Sequence, residues 1–411
     1  MKPQTSISVK KFGGTSVGSV ERIQNVANRI KRELATGAPE GRIAPVIVVS
    51  AMAGETNRLV ALGDQIFANN RGPAYDMLVA SGEQVSVALL TMALEKVGLK
   101  AKPYLAHQLG IYTDSMYSKA RIREINAQAL INDVEKGIIP VVAGFQGVDE
   151  FANITTLGRG GSDTTGVALA AALGAKECEI YTDVPAVFTA DPRLVPQARE
   201  ISKMSFEEMI EMASLGSKVL HIRCVEIGAK YGVRIHVRST FEDREGTWVV
   251  HEGEVMENPL VSAVTHEATT SVLKLYPLPG GTGALARLFE SLAKKGVVVD
   301  IITQSEHENV QRLAFSVPKD DVAASLEVIK ECFGKELTVD VMDKVSKISI
   351  VGVGMRNHPG VAATFFSTLA QANIPVHLVT TSEIKVSAII AAHDLQSAAQ
   401  KLHNAFKLDK E

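Results

Sequence analysis

The chain has 411 residues, of which 46% are hydrophobic and 22% are charged. These values lie close to globular averages, so they exclude a disordered or fibrous protein, and the length favours two to three domains. With 43 basic and 46 acidic residues the net charge is -3, which argues against a nucleic-acid-binding surface.

Cysteine usage and apolar runs predict the compartment. Three widely spaced cysteines form no CxxC or zinc-binding pattern, which is typical of a reducing compartment. The first residues lack the apolar segment of a signal peptide, and the longest apolar run, around residues 167–175, is too short to span a membrane. We therefore expect a soluble, cytoplasmic protein.

The first 250 residues alternate short β-branched runs with amphipathic stretches. The apolar runs are continuous rather than alternating, as expected when helices cover both faces of a parallel sheet. This pattern predicts an α/β fold with a mainly parallel sheet sandwiched by helices. The predicted helices are residues 20–30, 205–215 and 219–231, and the predicted strands are residues 46–49, 138–143 and 233–237.

The alternation fades at residues 247–259, and an internal repeat follows. Residues 282–303 match residues 359–380 at an offset of 77, and each copy predicts strand, helix, strand, strand, helix, the order of a ferredoxin-like α+β unit. We place a first domain at residues 1–250, a linker at 251–262 and the two repeats at 263–343 and 344–411.

A glycine-containing turn, KFGGTS at residues 11–16, follows a predicted strand and precedes a helix. Glycines let backbone N–H groups approach a phosphate, and Lys11 adds a mobile positive charge. The turn is neither a Walker A loop nor a dinucleotide fingerprint. An ordinary strand-to-helix turn with a surface lysine explains it equally well.

A second glycine-rich segment, TTLGRGGSDTTG at residues 155–166, opens an apolar helix. Arg159 can bind a carboxylate or phosphate through two parallel hydrogen bonds. Ser162 or Asp163 can instead be a simple N-cap, but a cap does not explain an arginine flanked by glycines. We favour a functional site here.

Further polar residues follow predicted strands, where ligands of open α/β sheets gather. Ser50 and Thr56 follow one strand and Thr182 and Asp183 another, although turn chemistry alone also explains them. Glu83 interrupts an apolar helical stretch and needs a cation if it is buried; a solvated helix face is the alternative. Lys218 at the start of a predicted helix opposes the helix dipole, which suggests a nearby anion.

Taken together, these motifs resemble those of the aspartokinases, members of the amino acid kinase family, and the repeats resemble their two ACT domains. The resemblance covers essentially the whole chain and is closest to the monofunctional enzymes, without a homoserine dehydrogenase domain. The motifs are KFGGTS (11–16), SAM (50–52), SGE (81–83), TLGRGGSDTT (156–165), YTD (181–183) and TADPR (189–193).

The resemblance implies ATP-dependent phosphorylation of the β-carboxylate of L-aspartate to 4-phospho-L-aspartate, the first step towards lysine, threonine, methionine and isoleucine. It implies catalytic roles for Lys11, Asp163 and Lys218. Thr56, Glu83, Arg159, Gly160 and Ser162 would bind aspartate, with Arg159 on its α-carboxylate and Glu83 on its ammonium. ATP would be bound by Lys11, Phe12, Gly13, Gly14, Ser50, Thr182, Asp183, Phe188, Asp191, Arg193 and Lys218. Phe188 departs from the family pattern, because many relatives carry tyrosine there.

The implied chemistry needs no general base, because an aspartate side chain is already ionised at neutral pH. Positive charge and positioning would bring it to the phosphate. No dense acidic cluster suggests a protein cage for a cation, so Mg²⁺ would arrive bound to the ATP phosphates, with no metal ligands from the protein.

The repeats imply feedback inhibition by lysine, threonine or both, and at least a homodimer formed through them. We expect the second repeat to make the main effector contacts, because Gly280 of the first stands where several relatives carry aspartate. The expected effector residues are Gln304, Met355, Asn357, His358, Val361, Thr381, Ser382 and Glu383.

Three other hypotheses compete with an aspartokinase. Another amino acid kinase, for glutamate, acetylglutamate or UMP, would share the fold but not the repeats or Glu83. A regulator with a silent catalytic domain would not need Lys11 and Arg159. A dehydrogenase with ACT domains would need a dinucleotide fingerprint, which the sequence lacks.

Overall fold

The computed structural model describes residues 7–36, 44–216, 219–255, 259–279, 281–307, 310–334 and 337–410. These residues form two compact units. Unit 1 lies within Met1–Val187, Glu200–Ser214 and Lys218–Glu257, and unit 2 lies within Phe188–Arg199, Leu215–Ser217 and Asn258–Glu411.

Unit 1 is built on an eight-stranded sheet and a smaller four-stranded one. The strands of its described residues are β1 (Ile7–Phe12), β2 (Ala44–Val49), β3 (Ala101–Tyr104), β4 (Ile111–Thr113), β5 (Ile122–Ile125), β6 (Ile139–Ala143), β7 (Gln146–Val148), β8 (Ile154–Thr156), β9 (Glu177–Thr182), β10 (Lys203–Ser205), β11 (Arg234–Ser239) and β12 (Thr247–Val250).

The larger sheet has the order β10-β12-β11-β9-β1-β2-β6-β3. Its neighbouring strands pair in parallel, apart from β11 and β12, which are antiparallel. The predicted mainly parallel sheet is therefore confirmed. The strand-and-helix alternation was predicted to fade at residue 247. That boundary is wrong, because Thr247–Val250 forms strand β12. Strand β12 pairs antiparallel with β11 and therefore needs no helical crossover before it. The sequence pattern of a helix followed by a strand is consequently missing here.

Helices pack on this sheet as the apolar patterns predict. The helices of unit 1 are α1 (Val20–Thr36), α2 (Glu55–Ile66), α3 (Pro73–Lys96), α4 (Ala106–Leu109), α5 (Gln128–Glu135), α6 (Gly161–Ala172), α7 (Phe206–Ser214) and α8 (Ile222–Tyr231). In α1, Ile23, Val26, Ala27 and Ile30 are buried against β2 and α3, whereas Val20 is exposed.

Helix α3 is long and apolar enough by length and composition to cross a membrane, contrary to the expectation that no segment is. It is half-buried inside unit 1 and carries two buried carboxylates, Asp76 and Glu83. A charged side chain at a bilayer centre is costly, so we interpret α3 as the core helix of a globular unit.

The smaller sheet has the order β5-β4-β7-β8 and was not predicted. Its strands have three or four residues each and are interrupted by polar turns, so the hydrophobic period is too short to detect. Its last strand, β8, leads directly into the glycine-rich segment that begins α6.

Unit 2 contains the two repeats, each with the predicted order of elements. Their elements are β13 (Ala263–Tyr276), α9 (Gly281–Lys294), β14 (Ile302–His307), β15 (Val310–Pro318) and α10 (Val322–Phe333), then β16 (Thr338–Val351), α11 (Val361–Gln371), β17 (Leu378–Ser382), β18 (Lys385–Ala391) and α12 (Leu395–Ala405). All six strands join in one sheet, β14-β15-β13-β16-β18-β17, in which β13 and β16 pair antiparallel. One apolar core lies within the first repeat, and a second combines the second repeat with Val264 of β13 and with Ala190 and Val195.

Candidate active site

The carboxyl ends of β1, β2 and β9 meet in unit 1. The Ser50 N–H donates to the Phe12 carbonyl at 3.1 Å, and the Gly13 N–H donates to the Tyr181 carbonyl at 3.0 Å. The Ala53 N–H in turn donates to the Gly14 carbonyl at 3.1 Å. The turns that follow these strands therefore lie side by side, where ligands of parallel sheets bind.

One pocket at this edge, which we call the Lys11 pocket, has a volume of about 390 Å³. It contains Lys11, Gly13, Gly14, Asp163, Thr182 and Asp183 of the predicted nucleotide and catalytic residues. It is lined by Lys11, Gly13, Gly14, Thr15, Ala53, Gly54, Asp163, Ile180, Thr182, Asp183 and Val219.

The cation of this pocket is oriented by a carboxylate. Lys11 Nζ lies 2.5 Å from Asp163 Oδ1, and the Lys11 side chain is only 8% exposed. Asp163 lies in the first turn of α6, where the helix dipole also favours negative charge. The ammonium is therefore held at the pocket wall.

The two neighbouring lysines of β1 differ in surroundings because side chains alternate along a strand. Lys10 Nζ is paired with Glu33 at 2.9 Å and Glu179 at 2.8 Å, away from the residues of the pocket. Lys11 alone of the two lines the pocket, so it is the lysine that can meet an anionic ligand.

A second pocket, which we call the Glu83 pocket, has a volume of about 270 Å³. It brings together all five predicted aspartate-binding residues, which come from three separate parts of the sequence. It is lined by Gly14, Ser50, Ala51, Met52, Ala53, Gly54, Thr56, Glu83, Phe145, Gly158, Arg159, Gly160, Gly161 and Ser162. It shares Gly14, Ala53 and Gly54 with the Lys11 pocket, so the two are adjacent.

Glu83 is the buried anion of this pocket. Its side chain is 3% exposed, and Oε1 accepts a hydrogen bond from the Ala51 N–H at 2.9 Å. Oε2 is buried and has no hydrogen-bond partner among the described residues. Burial raises the pKa of the Glu83 carboxyl to about 7, although the Ala51 N–H and the Lys11 charge oppose this. An ammonium group at Oε2 would satisfy both the charge and the open acceptor.

Arg159 is the exposed cation of the same pocket, and its guanidinium makes no hydrogen bond or ion pair with another described residue. Ser162 Oγ lies 2.7 Å from Ser50 Oγ, which links the start of α6 to the end of β2. Ser50, predicted on the nucleotide side, thus lies in the Glu83 pocket, and Phe12 lies in the core, stacked on Tyr181 at 4.6 Å.

Two residues of the Glu83 pocket region carry no sequence signal. Phe145 lines it in a left-handed conformation (φ 68°), and its N–H donates a hydrogen bond to Thr165 Oγ1 at 3.1 Å. His221 packs on Gly160: a Cβ added to Gly160, whose φ is 67°, would lie 2.3 Å from His221 Cβ. Burial lowers the pKa of His221. Such contacts arise from tertiary packing, which a local motif does not encode.

The remaining predicted nucleotide residues have different locations. Phe188, Asp191 and Arg193 lie in unit 2, where Asp191 and Arg193 form an ion pair of 2.7 Å, and none of them lines the Lys11 pocket. Lys218 lies outside the described residues. The dipole argument for it was wrong, since α8 begins at Ile222 and not at residue 219. His221 is extended there, which delays the helix start.

The predicted effector residues lie in unit 2. Gln304 lines a cavity of about 490 Å³, the Gln304 cavity, which is formed mainly by the first repeat and also by Leu378 of β17. Its other lining residues are Lys274, Leu275, Tyr276, Thr303, Ser305, Arg312, Leu313 and Ala314. In the second repeat Met355 and Val361 are buried in its core, while His358, Thr381, Ser382 and Glu383 are exposed. The Arg356–Glu383 ion pair of 3.5 Å joins the two predicted segments. Gly280 and the Asn357 side chain lie outside the described part.

Comparison with known proteins identifies the class. Residues 6–239 match the amino acid kinase family, and residues 348–406 match an ACT domain. Among curated relatives, the aspartate kinase of Pseudomonas putida is 46% identical over 410 residues, and aspartokinase 2 of Bacillus subtilis is 46% identical over 405 residues; each alignment covers 98% of both chains.

A solved structure agrees with this assignment. Aspartokinase III of E. coli, crystallised with aspartate and ADP, matches with a TM-score of 0.81 at 26% identity, over 97% of this chain and 99% of that one. The fold and its adjacent pockets thus define an amino acid kinase followed by ACT-type repeats. More narrowly, the chain belongs to the aspartate kinase family.

Proposed function

We propose that the Lys11 pocket binds the phosphates of ATP and that the Glu83 pocket binds L-aspartate. As a member of its family the chain is an aspartate kinase, which phosphorylates the β-carboxylate of aspartate to give 4-phospho-L-aspartate, feedback-regulated through ACT domains. The observation that carries the assignment of the pockets is that they are adjacent and hold different buried charged groups: the Lys11 ammonium lines one and the Glu83 carboxylate the other, and both are lined by Gly14.

The Glu83 pocket is complementary to an α-amino acid. Glu83 Oε2 would accept a hydrogen bond from the substrate ammonium, and Arg159 would bind its α-carboxylate through two parallel hydrogen bonds. Thr56, Gly160 and Ser162 would complete the contacts. Held at both ends, the substrate can direct its β-carboxylate towards the shared Gly14 and the Lys11 pocket, which lowers the entropic cost of the reaction.

Lys11 would neutralise the phosphoryl group as the two anions meet. Because the attacking carboxylate is already ionised, the residues need only supply position and positive charge. Asp163 would keep the Lys11 ammonium in place, and Lys218 would add a second cation. Thr182 and Asp183 would contact the nucleotide from the wall of this pocket.

The residues of the Lys11 pocket fit Mg²⁺ carried by ATP. Asp163 and Asp183 line the pocket, but among the described residues no three His, Cys, Asp or Glu side chains meet to cage a cation. Mg²⁺ would therefore be held chiefly by phosphate oxygens, whose charge it neutralises when bound.

We further propose a cytoplasmic enzyme that forms at least a dimer through its ACT domains and is inhibited by lysine, threonine or both. The solved E. coli aspartokinase III has also been crystallised with lysine and aspartate. Here the exposed residues near the Arg356–Glu383 pair and the Gln304 cavity are two candidate effector sites, one in each repeat.

A hydroxylamine trap tests the reaction directly. With ATP and aspartate the enzyme should form aspartyl hydroxamate, whereas glutamate and N-acetylglutamate should give none above background. Equal product from either alternative substrate would contradict the assignment of the Glu83 pocket. Absence of product with every substrate would instead favour a silent regulator.

A further inference from the structure

The segment that carries Arg159 is held from both sides by side chains outside the two pockets. Thr156, the last residue of β8, presents its N–H, and Leu157, which follows the strand, presents its carbonyl. A carboxylate of α3 accepts from the N–H, and a guanidinium of α8 donates to the carbonyl. Neither side chain belongs to a motif that the sequence analysis recognised.

Asp76, in the first turn of α3, is the carboxylate. It is fully buried, and its Oδ2 accepts a hydrogen bond from the Thr156 N–H at 2.6 Å. The Ser118 N–H lies 3.0 Å from both carboxylate oxygens, and Ser118 Oγ donates at 3.3 Å. Hydrogen bonds to a charged acceptor are about twice as strong as neutral ones, so a buried carboxylate holds these two backbone segments firmly.

Arg223, in the first turn of α8, is the guanidinium. It donates to the Leu157 carbonyl at 2.5 Å and to the Ala120 carbonyl at 3.0 Å. It therefore bridges the same two segments as Asp76, one or two residues further along each. The two contacts use different guanidinium nitrogens, whereas a lysine would offer a single nitrogen on a flexible stem and would hold the two carbonyls less rigidly.

The two bridged segments contact each other closely. The Ala120 N–H donates to the Thr156 carbonyl at 2.9 Å. Gly158 has φ of 79°, and a Cβ there would lie 2.7 Å from the Ser118 carbonyl oxygen. Gly158 thus packs directly against residues 118–120, and this contact fixes the backbone immediately before Arg159.

We propose that Asp76 and Arg223 are positioning residues that fix residues 156–158 on residues 118–120 and thereby aim Arg159 into the Glu83 pocket. This inference rests on the proposed role of Arg159. The Arg159 side chain is exposed and has no partner among the described residues, so its direction depends on its backbone. A displacement of about 1 Å at a positioning group can lower an enzyme's rate by up to roughly 10²-fold. Loss of either bridge should therefore weaken the productive binding of aspartate.

The test compares KM for aspartate and for MgATP in Asp76→Asn and Arg223→Lys. We expect KM for aspartate to rise about tenfold or more in each, with KM for MgATP changed less than about twofold. Ser118→Ala, which removes only the longest hydrogen bond of Asp76, should have a much smaller effect. The matched control is Asp149→Asn: this buried carboxylate binds the N–H groups of Phe151 and Asn153 at the other end of β8. It should lower thermal stability without changing KM for aspartate.

A double-mutant cycle separates positioning from general damage. In an Arg159→Ala background, Asp76→Asn should raise KM for aspartate by less than about twofold, because the group that it positions is gone. An equal fold-change in both backgrounds, or a parallel rise in KM for MgATP, would overturn the inference.

If Arg159→Ala raises KM for aspartate but neither bridge variant does, the inference alone fails. If Arg159→Ala leaves KM unchanged, the proposed role of Arg159 fails, and the inference with it. Should Asp76→Asn not fold, Arg223→Lys carries the same cycle.

Discussion

Glu83 Oε1 accepts a hydrogen bond from the Ala51 N–H at 2.9 Å, which joins the middle of α3 to the turn after β2. This contact uses one oxygen of the carboxylate and leaves the other for a ligand. The buried carboxyl is therefore both a packing element and the group of the Glu83 pocket whose charge changes near neutral pH.

The pH dependence of aspartate binding follows from this carboxyl. Its pKa of about 7 means that the ionised form, which can pair with an ammonium, increases as pH rises through 7. We expect kcat/KM for aspartate to rise up to about tenfold per pH unit below pH 7 and then level off. In Glu83→Gln that limb should be absent and KM for aspartate higher, with KM for ATP almost unchanged. Steady-state kinetics from pH 5.5 to 8.5 would check this, and a limb that persists in the variant would contradict it.

The free energy of unfolding should fall as pH rises through 7, whereas aspartate binding strengthens, and both changes follow from ionisation of Glu83. Because burial raises the pKa of Glu83 in the folded state, its contribution is complete below the unfolded value of 4.5 and is lost as pH rises through about 7. The loss is on the order of 3 kcal/mol. Between pH 5 and 8, the free energy of unfolding should therefore fall further in the wild type than in Glu83→Gln. Denaturant titrations at the two pH values would measure it, and parallel curves would argue against the raised pKa.

Replacement of Lys11 should affect the transition state most. Lys11→Met removes the ammonium that is paired with Asp163 but keeps the length of the side chain. We expect kcat to fall by about 10²–10³ with the fold preserved, which is the typical effect of losing one preorganised donor aimed at charge that develops in a transition state. Lys10→Met is the matched control on the same strand, and its kcat should fall much less than that of Lys11→Met. A folded Lys11→Met enzyme with near wild-type kcat would reject the assigned role.

The ion pairs of Lys347 in unit 2 predict an asymmetric response to substitution. The Lys347 side chain is 2% exposed and contacts Asp300 and Glu267, the latter at 2.8 Å, whereas both carboxylates are partly exposed. Burial alone would lower the pKa of Lys347, but Asp300 and Glu267 outweigh it and raise that pKa. Asp300→Asn with Glu267→Gln strands a buried ammonium and should cost about 3–5 kcal/mol. Lys347→Met lets both carboxylates rehydrate and should cost clearly less. Thermal unfolding of both variants would decide, and equal losses would contradict the argument.

Feedback inhibition discriminates between the two candidate effector sites. We expect lysine, threonine or both to inhibit the wild type, and Asn357→Ala with His358→Ala to weaken that inhibition about tenfold if the second repeat makes the main contacts. Gln304→Ala tests the cavity of the first repeat in the same way. Activity assays with each amino acid, alone and paired, give the answer. A wild type insensitive to both amino acids would refute the regulatory proposal while leaving the kinase assignment intact.

The parallel sheet and the repeats were predictable because both leave strong periodic signals. The strand core of β2 and β6 is continuously apolar, and the repeats recur at a fixed offset. Thr56, Glu83, Arg159, Gly160 and Ser162 were predicted from their motifs and the resemblance to aspartokinases, and all five line the Glu83 pocket.

The features that were missed depend on distant residues. Strand β12 is short and antiparallel to β11, and the start of α8 is set by the extended His221 rather than by apolar spacing. The sequence did not indicate a role for Asp76, because a single acidic residue in the first turn of a helix is common there and is explained by its favourable interaction with the helix dipole. Only the fold shows that its acceptors face Ser118 and Thr156, far along the chain.

The antiparallel pairing of β13 with β16 has a consequence for how the repeats can be separated. These are the two long inner strands of the six-stranded sheet, and their backbone groups satisfy each other along most of their length. A fragment that ends between the repeats would therefore expose a long row of open N–H and C=O groups, a template for pairing with another chain. Each repeat thus provides the strand that covers the inner edge of the other, and separating them should favour aggregation over two independent soluble modules.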